Sequence, residues 1–254
     1  MINDELYLQT PLDIQKELLQ FFKYKSPKFI FDIGACDGLD SIKYSWLFPN
    51  SKVYSFEPID NNYNLILKNL DKYSISNIIV EKLALSDSDG EAEFYLSSGS
   101  PDNVENSDWD YGNKSSSLLK PGKTIEIHPW LKFENKQLVK TKTLKNYMDE
   151  NKIQTIDFIH MDVQGAELMV LNGAGNYLKN IKMIWLEVEN IELYKNQPLK
   201  TDVESFLIKN NFRKIKNTVN SIAGDQLWVQ YSYFPHKLMS SFVYKIFNKI
   251  GLLK

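Results

Sequence analysis

Residues 29–38 read Phe29-Ile30-Phe31-Asp32-Ile33-Gly34-Ala35-Cys36-Asp37-Gly38, and their order decides the fold. The apolar run ending in glycine predicts a buried strand over 29–34. The stretch 39–48 is compatible with a helix. Strand, glycine, three residues, glycine and helix together make a nucleotide-binding turn. Gly34 permits a tight bend and close approach of backbone to a ligand. The helix that follows presents free N–H groups. A dinucleotide fingerprint requires G-x-G-x-x-G. Here Cys36 holds the middle position and the third glycine is missing, which disfavours a nicotinamide-dependent oxidoreductase. Asp32 and Asp37 make the turn acidic. They would repel a pyrophosphate and suit a ligand carrying a sulfonium or ammonium.

Outward from this turn the rhythm continues. A strand over 53–57 is closed by Pro58, a helix fits 61–73, and a third strand fits 78–85 before the turn SDSDG. This β-α-β-α-β order implies a parallel sheet with helices on both faces. Alternation resumes with a strand at 156–163, a helix from Ala166 to Gly173, a strand at 183–189 and a helix at 202–210. The stretches 212–216 and 226–231 read as a closing antiparallel pair. We expect one domain over 29–234, preceded by a helical segment 1–28 in which Ile14, Leu18, Leu19 and Phe22 share helical spacing. An insertion of about 91–143 departs from the pattern. It holds an edge strand at 91–96, a long polar loop at 97–122, and short strands at 123–127 and 138–143 around His128-Pro129-Trp130. In the tail 235–254, Leu238, Phe242, Ile246 and Ile250 recur every four residues. That predicts an amphipathic helix packing on the domain, on a second copy, or on a membrane surface.

Composition narrows the function classes. The 254 residues carry 30 Lys plus Arg against 32 Asp plus Glu, a formal charge of −2. A protein that coats nucleic acid needs a basic face, so no nucleic-acid partner is expected. The single cysteine, Cys36, excludes an intrachain disulfide and a multi-cysteine zinc site. The start MINDELYLQTPLD lacks the pattern of a signal peptide, and no apolar run approaches the ~18 residues of a spanning helix. The expected setting is the cytoplasm.

Acidic residues gather at the predicted carboxyl ends of the strands, where open α/β sheets place their sites. Glu57 stands 23 positions after Gly34, where an acid grips a ribose diol. Asp162 ends the strand 156–163. Glu187 and Glu189 are two apart, on one face of a regular strand. With Asp162 they would form an oxygen-rich site for Mg²⁺ or Mn²⁺. The alternative is that one glutamate caps a loop and the other meets solvent. Glu167 either joins the site or serves as a carboxylate at a helix N-terminus. His160 reads as a core histidine, whereas His128 and His236 remain candidate bases. The catalytic candidates are thus Asp162, Glu187, Glu189 and His128.

The blocks FDIGACDG, VYSFEP, LALSDSDGEAEFY, SSSLL and IDFIHMDVQGAELMVLNGA occur in this order between about residues 29 and 230. Together they resemble the FkbM-type S-adenosylmethionine-dependent methyltransferases. The resemblance implies a Rossmann-like, seven-stranded, mostly parallel sheet with an antiparallel last strand. It implies S-adenosyl-L-methionine as cofactor. Asp32, Gly34 and Gly38 would surround its methionine part, Glu57 would hold the ribose, and Ala84, Leu85 and Ser86 would flank the adenine. Ser41 is a candidate donor to its carboxylate, and Asp37, Pro58, Asp162 and Gln164 complete the expected cofactor set. Gln164 stands where Glu is expected in many relatives, and Glu189 where His is more usual. The reaction implied is methyl transfer to an oxygen, which needs alignment and removal of the acceptor's proton. Asn113, Ser115, Ser116, Trp130 and Tyr194, with Ser117, Trp109 and Tyr111 nearby, are the expected acceptor wall. They would suit a sugar hydroxyl on a nucleotide-sugar or a glycan or capsule precursor. A polyketide or lipid-linked acceptor, and a non-catalytic binding protein of the same fold, are the alternatives.

Overall fold

A computed structural model describes residues 4–101 and 111–234. The expected tail helix, His236 and Trp109 lie outside the described residues. The order is α1 (Asp4–Gln9), α2 (Gln15–Phe21), β1 (Phe29–Ile33), α3 (Leu39–Leu47), β2 (Lys52–Phe56), α4 (Asp60–Lys72), β3 (Ile78–Glu81), β4 (Ala84–Ser86) and β5 (Gly90–Ser98). Then come α5 (Thr124–Ile127), β6 (Lys132–Thr143), α6 (Leu144–Glu150), β7 (Ile156–Met161), α7 (Glu167–Gly173), β8 (Ile181–Glu189), α8 (Lys200–Lys209), β9 (Phe212–Asn217) and β10 (Ala223–Gln230).

Seven strands form one sheet in the order β3-β2-β1-β7-β8-β10-β9. The pairs from β3 through β8 are parallel. The last strand, β10, runs antiparallel to both β8 and β9. Order reverses at β1, which pairs with β2 on one side and β7 on the other. A crevice therefore opens beyond the carboxyl ends of β1 and β7. Side chains alternate across each strand and bury both faces. Phe31 and Ile33 of β1 join Ile159 and Met161 of β7 in one core. Ile30 and Phe158 join Tyr44 of α3 and Leu18 of α2 in the other. Burying each such side chain contributes about 1.5–3 kcal/mol, so the strands read as near-continuous apolar runs.

Three local expectations change. The stretch 78–85 is two strands in two sheets. β3 ends at Glu81, the chain turns at Lys82-Leu83, and β4 pairs with β6 in a second sheet ordered β4-β6-β5. Periodicity cannot separate them, because both halves are apolar and extended. Residues 124–127 are the short helix α5, not a strand. The strand expected at 138–143 is the end of the longer β6, and α6, opened by the Thr143 side chain accepting from the Asn146 N–H at 3.2 Å, was not anticipated. No described helix is long and apolar enough to cross a membrane.

Candidate active site

A cleft with about 520 Å³ of empty space, open to solvent, lies over the ends of β1, β2 and β7. Its floor is the glycine turn. Gly34 and Ala35 both donate their N–H to the Phe56 carbonyl at 3.0 Å, which welds the turn to β2. Gly34 has φ +85°, and a Cβ there would lie 1.9 Å from the Asp162 carbonyl oxygen. Two backbones thus abut where only glycine fits. Gly38, at φ +76°, opens α3 from outside the cleft lining, against Ile66 of α4.

Glu57 lines this cleft. The Cys36 N–H donates to one carboxylate oxygen at 2.9 Å and the Ile59 N–H to the other at 2.8 Å. Each oxygen keeps lone-pair capacity for a second donor. Burial pushes the Glu57 carboxyl up to about 8, against the pull of those two amides and of Asn62. When ionised, a fixed two-oxygen acceptor of this kind suits a vicinal diol. Pro58, Ala84 and Leu85 line the same cleft, whereas Ser86 is buried outside it.

Asp32 and Ser41 do not line the cleft. Asp32 is 1% exposed and accepts from the Ser41 hydroxyl, which also meets Ser55. Its other oxygen is 2.9 Å from His160 Nδ1. Burial opposes charge on His160, but the hydrogen bond and charge of Asp32 outweigh it and raise the imidazole to about 9. His160 is thus a half-buried partner of Asp32 across the β1–β7 pair. Asp37 also lies outside the lining; it accepts from the Leu39 N–H at 3.1 Å and pairs with Lys114 Nζ at 3.4 Å.

The β7–α7 turn forms the other wall. Asp162 and Gln164 line the cleft. The Gln164 amide donates to Asp162 Oδ1 at 2.7 Å and to Glu187 Oε2 at 2.9 Å. Tyr194 Oη lies 2.9 Å from Gln164 Oε1 and 2.7 Å from the Ser115 carbonyl, with one proton to share between them. Ser117 donates to the Gln164 carbonyl at 2.8 Å. Glu167 caps the turn, accepting from the Val163 and Gly165 N–H groups at 3.3 and 3.2 Å. Burial, helped by Asp162, pushes Glu187 well up. Neither oxygen of Glu189 meets a hydrogen-bond partner among the described residues. Burial, then the charges of Glu167 and Asp162, push it up to about 9.

This arrangement corrects the metal expectation. Asp162, Glu187 and Glu189 do not converge, and among the described residues no three His, Cys, Asp or Glu side chains are grouped to hold a metal ion. The space between Asp162 and Glu187 holds the Gln164 N–H donors, which would face a cation. The carboxylates fit the amide and do not fit Mg²⁺ or Mn²⁺. The catalytic expectation for His128 is corrected too. It is exposed, packs its ring 5.8 Å from that of Trp130, and neither residue reaches the cleft.

The insertion also faces differently from the expected acceptor wall. Asn113, Lys114, Ser116, Phe94 and Leu118 line the cleft beside Glu57 and the glycine turn. Asn113 donates to Asn62 of α4. Ser115 contributes a carbonyl to Tyr194, which is fully buried. The insertion therefore closes over the cofactor side. Asn62, Phe94 and Val163 were missed because single polar or apolar residues in ordinary elements carry no motif. Only the buried polar position of Asn62, one turn after Pro58, hints at it.

The pieces fit S-adenosylmethionine. Gly34 is a cradle that a Cβ would fill, Glu57 suits the ribose diol, Leu83–Leu85 offer an apolar wall that would take adenine, and Asp162 is a carboxylate that would suit the cationic end. The chain is similar to several known proteins. The Methyltransferase FkbM domain model matches residues 32–214. The 2-O-methyltransferase NoeI of Sinorhizobium fredii (strain NBRC 101917 / NGR234) is 28% identical over 217 residues, 85% of this chain and 84% of that protein. Among solved structures, precorrin-6y C5,15-methyltransferase from Geobacter metallireducens GS-15 is 13% identical, with TM-score 0.45, over 87% of this chain and 89% of its own. A SAM dependent methyltransferase from Aquifex aeolicus is 14% identical, with TM-score 0.43, over 91% and 100% of the two chains. Over residues 32–214 this chain belongs to the FkbM family of S-adenosylmethionine-dependent methyltransferases.

Proposed function

We propose that this enzyme methylates a hydroxyl of a sugar, carried on a nucleotide or in a glycan or capsule precursor, in the cytoplasm. The observation that carries this reading is the polar network at the end of β7. Asp162 stands in the cleft with one oxygen held by Gln164. Bound S-adenosylmethionine supplies a methyl group already activated by its sulfonium. The protein's tasks are to align the acceptor and to take its proton. A sugar hydroxyl is a weak acid, and Asp162 Oδ2 is the group we assign to receive its proton as the C–O bond forms. Gln164 fixes the Asp162 carboxylate and is itself held by Glu187 and Tyr194. The NoeI relative is by name a 2-O-methyltransferase, which supports oxygen as the atom methylated.

Calorimetry with S-adenosylhomocysteine and NAD in parallel tests the first half. Binding of the former and not the latter is expected; a chain that takes NAD, or neither, does not have this function. A screen of sugars and nucleotide-sugars with radiolabelled cofactor tests the second half. Label transferred to an oxygen of a sugar supports it, and label found only on polyketide or lipid-linked acceptors overturns it.

A further inference from the structure

A second cavity, about 650 Å³, lies on the α3 face of the sheet and shares no lining residue with the cofactor cleft. Tyr7, Asp40, Lys43, His160, Trp185 and Asp225 line it, and exposed Thr10 stands at its rim. Strand register explains the grouping. Asp32, His160 and Trp185 sit side by side across β1, β7 and β8, and Asp225 of β10 lies opposite Glu187, two residues beyond Trp185. All face the same way. Asp162, which edges the cofactor cleft, follows two residues after His160, which lines the cavity. Asp162 is near enough to help raise both Asp225, which burial and this charge bring to about 6, and His160.

Resting on the O-methyltransferase reading, we infer that this cavity is the acceptor pocket and that it takes an uncharged sugar ring rather than a phosphate-bearing one. The insertion is occupied with the cofactor side, which leaves this side of Asp162 for the acceptor. Aromatic walls and carboxylates match the two kinds of surface on a sugar: C–H faces pack on rings, and hydroxyls donate to carboxylates. The polar groups are already positioned. Tyr7 donates to Asp40 at 2.7 Å, and Lys43 Nζ lies 4.1 Å from the centre of the Tyr7 ring. The charge disfavours phosphate. Asp13, Asp40 and Asp225 line the cavity against Lys43 and His160, and the charge of His160 is already met by Asp32.

Saturation-transfer NMR on the full chain, loaded with S-adenosylhomocysteine, tests this. The probes are methyl glycosides of neutral hexoses, glucose 1-phosphate and UDP-glucose. Neutral glycosides should take up saturation and the phosphates should not. Thr10→Trp, which fills the mouth from an exposed position, should cut that signal at least about fivefold while S-adenosylhomocysteine affinity stays within about twofold. Asp225→Asn, which keeps the shape, should also weaken the glycosides. The inference fails if the phosphates bind as well, if no neutral glycoside binds, or if both variants leave the signal unchanged. Failure of the wild type to bind S-adenosylhomocysteine would instead remove the methyltransferase reading itself.

Discussion

The β1–α3 turn and the β7–α7 turn are built alike and used differently. Each joins a buried strand to a helix through left-handed backbone: Gly34, Cys36 and Gly38 in the first, Gln164 and Gly165 in the second. Each gives backbone N–H to a buried glutamate: Cys36 to Glu57, whose second donor is Ile59 just after β2, and Val163 and Gly165 to Glu167. Glu57, however, comes from the neighbouring strand and opens into the cleft, whereas Glu167 belongs to its own helix and stays outside it. A carboxylate held by amides is a binding group in one turn and a cap in the other. What decides is the element that supplies it.

Gly34→Ala should have the largest effect. The new Cβ would overlap the Asp162 carbonyl and sit at φ +85°, and a loss of about 3 kcal/mol or more is expected. Thermal unfolding and cofactor titration would show it, and a normally folded, normally binding variant would break the picture of abutting turns. Gln164→Glu replaces two donors with a third carboxylate beside Asp162 and Glu187, at a cost of about 2–3 kcal/mol at neutral pH. The cost should shrink as pH falls and the cluster takes up a proton, which denaturant melts at two pH values would reveal.

Glu57→Ala and Glu167→Ala sharpen the comparison directly. The first should weaken S-adenosylhomocysteine binding about 10–100-fold by calorimetry, equivalent to about 1.4–2.8 kcal/mol. The second should lower the melting temperature and leave the affinity of the folded fraction within about threefold. Equal effects on affinity would erase the distinction.

A smaller effect follows from pH. Glu57, Glu167 and Glu189 keep protons in the fold up to about 8, 7 and 9, against an ordinary 4.5. Between these values the folded chain binds more protons than the unfolded one, so stability falls as pH rises. His160, raised from 6.5 to about 9, acts in the same direction in that range. Glu189→Gln should flatten this slope by on the order of 1 kcal/mol per pH unit; an unchanged slope would mean that Glu189 is already ionised. The smallest effect belongs to Cys36, whose thiol burial and the nearby Asp37 push well up. Alkylation by iodoacetamide should be slow, and Cys36→Ser should keep affinity within about twofold.

These two turns also show what a sequence displays. The first was legible because Gly34 and Gly38 bracket a strand-to-helix change, and Glu57 stands at a fixed distance downstream. The second was legible as a strand end, which placed Asp162. That Gln164 joins Asp162 to Glu187 was not legible, since its left-handed backbone aims the amide in a way no spacing announces. Reading three carboxylates without the amide between them led to a metal site. The insertion misled for another reason. Its Ser and Asn residues have the same composition whether they face an acceptor, a cofactor or water, and only their bonds to Tyr95 and Ser97 of β5 and to Asn62 of α4 aim them.

The break at Lys82-Leu83 couples the two sheets. Leu83, Ala84 and Leu85 wall the cofactor cleft, while β4 is hydrogen-bonded to β6 of the small sheet. A ligand held against that wall binds only when the small sheet is docked, so its binding free energy is added to the cost of opening that sheet. Amide hydrogens of β5 and β6 should then exchange more slowly once the cleft is filled, including those at the far end of β5 from β4. The small sheet would report cofactor occupancy through its rate of breathing.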